Sequence, residues 1–171
     1  LRFVQGVVDS EDLPLNVSRE SVQKNVLIEK IKSSLTLRVL KELEFLSEQN
    51  VEKYGKFWKQ YGILLKEGIS SDYKNKNRLM DLLRFNSSIT EDDSPEVSLK
   101  SYVERMREEQ KEIFYVTGGS RESILHNPNL EYFKKQGIEV LYLTDQIDDF
   151  MVTDMREYDG KTLKNISQGD I

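Results

Sequence analysis

Arg19 and Gln23 stand four residues apart and are the side chains of this sequence best suited by type and spacing to act together on an anion. Residues four apart share one face of a helix. A guanidinium is always charged, and its planar fork suits the oxygens of a phosphate. The run Asp9-Ser10-Glu11-Asp12-Leu13-Pro14-Leu15-Asn16-Val17-Ser18-Arg19-Glu20 must supply the positioning. Pro14 fixes its own φ and biases Leu13 toward an extended conformation. Asn16 and Ser18 are residue types that cap a helix N-terminus. Arg19 then falls in a first helical turn, where a cation is disfavoured by ~0.3–1 kcal/mol, and Glu20 partly offsets this. Local inconsistencies of this kind tend to be functional. Taken alone, Ser18-Arg19-Glu20 reads more readily as an arginine paired with Glu20, Glu11 or Asp12.

The flanking elements follow from periodicity. Leu1 to Val8 predicts a strand with Leu1 and Phe3 on one face and the consecutive β-branched pair Val7-Val8. Ser18 to Ser47 predicts a helix with a core stripe of Leu27, Ile31, Leu35, Val39, Leu43 and Leu46. Such a helix is roughly 40 Å long at ~1.5 Å per residue. Asn50 is placed to cap a second helix with an apolar face of Val51, Tyr54, Phe57, Trp58, Tyr61, Leu64 and Leu65, and Gly68 suits its C′ position. At this spacing Trp58 reads first as core. Trp is also enriched in binding hot spots, so Trp58 is the candidate for binding a partner protein. Lys76 to Phe85 predicts a third helix with Leu79, Met80, Leu82 and Leu83 inward, and Asn86 to Val97 a polar loop. Ser98 caps a short helix. Strands are then predicted over Ile113–Thr117, Glu139–Leu143 and Lys161–Ile166. A helix interrupted at Pro128 and a helix over Gln146–Met155 alternate with them, which implies a small parallel sheet.

Weaker constellations have ordinary explanations. Glu91-Asp92-Asp93 lacks the ligand spacing and turn glycine of a calcium loop, and no metal site is expected. Gly118-Gly119-Ser120 follows a strand and opens a helix, as phosphate sites do, but without a full fingerprint it reads as a turn and N-cap. His126, the single histidine, has no nucleophile motif to serve. Asp145, Asp148 and Asp149 sit at a helix start, where the dipole favours acids.

The stretch from Asp9 to Glu20, followed by Gln23, resembles the catalytic loop in the middle domain of the heat-shock protein 90 chaperones. The resemblance continues through Glu52–Gly68, Leu82–Ser88, Ser101–Met106 and Ile113–Gly118. It implies an α/β fragment in three parts. Residues 1–23 would be the end of a larger α/β layer carrying the catalytic loop, 24–110 a helical connector, and 111–171 a small αβα sandwich with a short parallel sheet. It further implies an ATP-dependent chaperone of the stress response that assists folding and maturation of client proteins and works with co-chaperones. ATP with Mg2+ would be bound in the protein's own N-terminal domain, and a homodimer held through a C-terminal domain absent from the chain. Carried over residue by residue, Arg19 contacts the ATP γ-phosphate, Gln23 assists, and Leu15, Asn16 and Ser18 support the loop. Phosphoryl transfer needs positive charge beside the equatorial oxygens, which an arginine from another domain can supply. The fragment alone is expected neither to hydrolyse ATP nor to dimerise stably. Family members commonly carry a basic residue where this chain has Gln5, so no phosphate-steering role is carried to that position. The alternative reading is a passive scaffold that binds clients or co-chaperones through the aromatic helix around Trp58.

Composition bounds the rest. A net charge of −5 with 32% charged residues of both signs argues against a nucleic-acid partner. No run approaches a membrane span, so no membrane partner is expected. The absence of cysteine excludes disulfides and thiolate chemistry and fits a reducing compartment. The cytoplasm is the expected location, and organellar members of the family share the loop.

Overall fold

The computed structural model describes residues 2–9, 26–91 and 95–168. Arg2 and Phe3 form a turn and residues 4–9 have no regular structure. This corrects the expected strand. A strand needs partners for its N–H and C=O groups, no described strand pairs with this one, and Val7 is 96% exposed.

Helix α1 (Val26–Gln49) and helix α2 (Val51–Ser71) meet at Asn50, whose Oδ1 accepts a 3.0 Å bond from the Lys53 N–H. The buried positions of α1 are Leu40 and Leu43, while Leu35 is 49% exposed. The expected stripe is therefore core only toward the C-terminal half, where α2 and helix α3 (Lys76–Leu82) pack against it. Gly68 does not end α2. It lets α3 approach, since a Cβ there would lie 2.9 Å from Leu79 Cδ1. A turn of 3-10 helix, Tyr73–Asn75, leads into α3.

The expected polar loop after α3 contains strand β1 (Asn86–Ser87), and Phe85 bridges to Val97. Helix α4 (Leu99–Arg105) starts at a Ser98–Ser101 capping box. Then follow β2 (Glu112–Thr117), α5 (Arg121–Leu125), α6 (Pro128–Lys135), β3 (Leu141–Leu143), α7 (Asp148–Met155), β4 (Glu157–Tyr158) and β5 (Lys161–Asn165). Among the described residues the sheet order is β1-β3-β2-β5-β4. The three central strands are parallel and both edges antiparallel. The β4–β5 hairpin turns through Asp159 and Gly160 at φ 49° and 70°. Two successive positive φ values are the type I′ geometry that matches strand twist.

Side chains alternate across a strand, and β2 shows what each face meets. Ile113 joins Leu141 and Leu143 in a core with Leu40, Tyr54, Trp58, Leu65, Leu82 and Met151. Phe114 and Val116 join Ile124, Leu130, Phe133 and Ile166 beneath α5 and α6. The sheet is covered on both sides, as parallel strands require. This is the small αβα sandwich, with the helical connector packed on one of its faces.

Candidate functional site

Leu15, Asn16, Ser18, Arg19 and Gln23 lie outside the described residues. The segments on either side of them are described, one held by α2 and the other tied to α3. Before the loop, the Phe3 ring packs on α2, its centroid 5.5 Å from that of Phe57 and 5.2 Å from that of Tyr61. Arg2 Nη2 lies 2.7 Å from Glu67 Oε2. After the loop, α1 is tied to α3 by a two-pronged bond, with Arg78 Nε and Nη2 donating to Glu44 Oε1 and Oε2 at 2.6 and 2.7 Å. Planar guanidinium–carboxylate forks of this kind hold direction as well as distance.

The adjoining face of α2 carries Trp58, 7% exposed. Its ring lies across the helix over Gly62, where a Cβ would come within 2.8 Å of Cδ2 and Cε2. Its burial favours the core role. About two turns further along is Lys66, only 4% exposed. Lys66 Nζ is 2.8 Å from Asp145 Oδ2 and 2.7 Å from Asp148 Oδ1. It also sits 5.4 Å from the Phe85 ring centroid and 6.0 Å from that of Trp58, within cation–π range. Asp148 Oδ2 accepts the Asp145 N–H at 3.0 Å. Asp148 is 1% exposed, and the Asp145 side chain 40%. Burial holds the Asp148 carboxyl above the usual range, and the Lys66 ammonium offsets only part of that rise.

This triad was not foreseen. The helix dipole alone does not account for Asp148, because its carboxylate faces a lysine across the fold. The signal was a lysine on the apolar stripe of α2, in register with Tyr54, Trp58, Gly62, Leu65 and Ile69. Sequence alone could not say which carboxylates it meets, 79 residues away in the case of Asp145.

Other candidates lead to ordinary structure. Ser120 and Ser123 bond each other's backbone N–H at 3.2 Å, so the turn after Gly118-Gly119 satisfies its own donors. His126 is exposed, with Nδ1 2.8 Å from the Glu122 carbonyl oxygen. A groove of about 540 Å³ runs between α3 and β4, lined by Tyr73, Lys76, Arg78, Asp81 and Tyr158 among others. Its Arg78 is held by Glu44, and Lys76 donates to the Asp154 carbonyl oxygen at 2.5 Å. Arg78 and Lys76 are thus both engaged by protein oxygens. The described residues do not bring three or more His, Asp or Glu side chains together to hold a metal ion. No described helix is long and apolar enough to cross a membrane.

The family model for the Hsp90 protein matches residues 1–171. The chaperone protein HtpG of Francisella tularensis subsp. novicida is 50% identical over 171 residues, all of this chain and 27% of that protein. HtpG of Geobacter sulfurreducens is likewise 50% identical over the whole chain, which covers 26% of it. HtpG of Alkalilimnicola ehrlichii is 46% identical over the whole chain, again 26% of its own length. The chain thus spans about a quarter of the length of these relatives.

Proposed function

Since the chain belongs to the Hsp90 protein family, we propose that it is the middle-domain segment of an ATP-dependent chaperone and lends Arg19 to an ATP held by another domain. The observation that carries this reading is the match over the whole chain, with the Asp9–Gln23 stretch inside it. ATP and its Mg2+ would supply the phosphoryl chemistry from the N-terminal domain. This chain's part is to bring a guanidinium to the γ-phosphate, with Gln23 beside it and Leu15, Asn16 and Ser18 shaping the loop. A donor aimed at developing charge stabilises the transition state more than the bound ground state. The same contact would favour the closed homodimer, in which client proteins and co-chaperones are engaged. The cytoplasm is the proposed location, in keeping with the cysteine-free sequence.

ATP hydrolysis and ATP affinity of the full-length protein, wild type against Arg19→Ala, test the reading. Arginines supplied to phosphoryl transfer are worth about 10³–10⁵ in kcat in well-studied cases. We expect hydrolysis to be lost with near-normal ATP binding. Unchanged hydrolysis would leave the segment as a scaffold. The scaffold alternative draws little support from the aromatic helix: Tyr54 and Trp58 are buried, and Phe3 packs over Phe57 and Tyr61.

A further inference from the structure

A second groove, of about 330 Å³, opens between the end of α4, the turn from α6 to β3, and the residues just after β1. Tyr102, Met106 and Ile138 form its apolar floor, and Ile89, 55% exposed, its lip. Tyr102 and Met106 pack with one core and Ile138 with the other, so both cores come near the surface here. The rim is cationic, with Arg105, Arg107 and Lys134 against a single acid, Glu139. That acid is already engaged. Arg105 Nε and Nη2 fork onto its two oxygens at 3.0 Å each, and Ser87 Oγ donates to Oε1 at 2.7 Å.

Arg107 and Lys134 are left without a carboxylate among the described residues. Arg107 donates from Nη2 to the Gln136 carbonyl oxygen, at the end of α6. A helix C-terminus carries only about half a negative charge, so most of the positive charge of the pair stays unbalanced. This is a local excess in a chain of net charge −5. Glu108 and Glu109 follow Arg107 directly, yet neither lines the groove.

Floor and rim together select an occupant that carries an anion beside an aliphatic group. Ile89, Arg105, Arg107 and Lys134 are all exposed, so the groove is open enough for a stretch of chain to lie in it. We propose that this groove docks an extended acidic segment of a partner protein. An aspartate or glutamate carboxylate meets Arg107 and Lys134, and a neighbouring aliphatic side chain covers Ile89, Met106 and Ile138. Arginine clusters are a recurrent means of reading acidic motifs. The apolar contact holds the segment, while the rim charges speed its arrival and select its sign. Nothing in this docking depends on Arg19.

The test follows, by fluorescence anisotropy, a labelled hexapeptide of alternating leucine and glutamate binding to the full-length protein. Serine–glutamate and leucine–lysine peptides of the same length are the comparisons. The leucine–glutamate peptide is expected to bind saturably, and more weakly as salt is raised. Arg107→Glu/Lys134→Glu should weaken it by about tenfold or more, since like charges brought together at an interface are costly. Ile89→Ser should weaken it severalfold through lost apolar burial. Arg107→Gln/Lys134→Gln, a milder change at the same exposed positions, should fall between wild type and the reversal, and decides alone if the reversal disturbs the fold. The inference is overturned if the leucine–glutamate peptide shows no saturable binding below ~1 mM, or if both double variants bind it as wild type does. It is equally overturned if the serine–glutamate or leucine–lysine peptide binds as tightly, because floor or rim is then idle. Succinate or a single-stranded oligonucleotide binding as tightly would also overturn it, in favour of a small-anion or a phosphate-backbone site.

Discussion

Gly55→Ala and Gly62→Ala set two opposing effects against each other on one helix. Each removes a glycine from the interior of α2, which gains about 0.8–1 kcal/mol of helix propensity where nothing else changes. At Gly55 an added Cβ meets no atom within 4 Å. At Gly62 it would stand 2.8 Å from Trp58 Cδ2 and Cε2 and 3.1 Å from Cε3. Those atoms belong to a rigid fused ring, buried beside Lys66, so nothing flexible can swing clear. To reach ordinary contact at ~3.5–4.0 Å the ring must shift by most of an ångström into a filled core. Overpacking of that kind costs about 1–3 kcal/mol and outweighs the propensity gain. Gly55→Ala should therefore stabilise the chain, and Gly62→Ala should destabilise it by up to about 2 kcal/mol. Urea unfolding followed by the emission of Trp58, the single tryptophan, measures both. The wild-type emission should be blue-shifted and resistant to quenching. Gly62→Ala should move it to the red, and Gly55→Ala should leave it unchanged. Equal stabilisation by the two variants, with identical spectra, would refute the claim that Gly62 exists to admit the indole.

Two further outcomes follow from charge and backbone geometry. Asp148 has its carboxyl raised by burial, so between its unfolded and folded pKa values the native state binds more protons and stability falls as pH rises. Removing Lys66 extends that interval upward. The deficit of Lys66→Met, about 3–5 kcal/mol for a broken buried pair, should be largest at neutral pH and shrink as pH falls, and a deficit constant with pH in urea midpoints would contradict this. Gly160 holds φ at 70° with open space around it. Gly160→Ala should thus cost about 1–2 kcal/mol through backbone strain alone, with an unchanged Trp58 spectrum as the check that the core is untouched.

What could be read from the sequence was local, and what could not was tertiary. Asn50, Ser98 and Ser120 announce their helices because a cap acts within three residues. The strand–helix alternation from Ile113 to Ile166 implies the parallel strands, which the structure shows. The short edges β1 and β4 escaped, since two-residue strands have no period to detect. Asp159-Gly160 was the available hairpin signal for β4. The stripe on α1 gave the helix but overstated its burial, because periodicity reports which face is apolar and not how far a partner extends along it. The candidate loop was legible only as a pattern of types, Pro14, Asn16, Ser18 and Arg19, and it gained meaning from the resemblance. The ion triad was illegible for a plain reason: no local rule couples Lys66 on a helix to two aspartates at a distant strand end.

The triad also bears on what kind of object α2 is. An all-apolar joint in its place would be as stable or more so, because taking an ammonium and two carboxylates out of water costs several kcal/mol per ion, which their attraction only partly recovers. One of the carboxylates is almost wholly buried and the other 40% open to solvent, so two acids face a single ammonium and water screens only one of them. An arrangement chosen for cohesion would not leave that imbalance. One chosen for register would accept it, since a misaligned ammonium strands charges in the core and is heavily penalised. The aromatic contacts of Phe3 on the adjoining face are softer, and their strength depends on offset more than on a single geometry. The joint toward the sandwich is therefore the tighter one, and the contacts to Phe3 are the more adjustable.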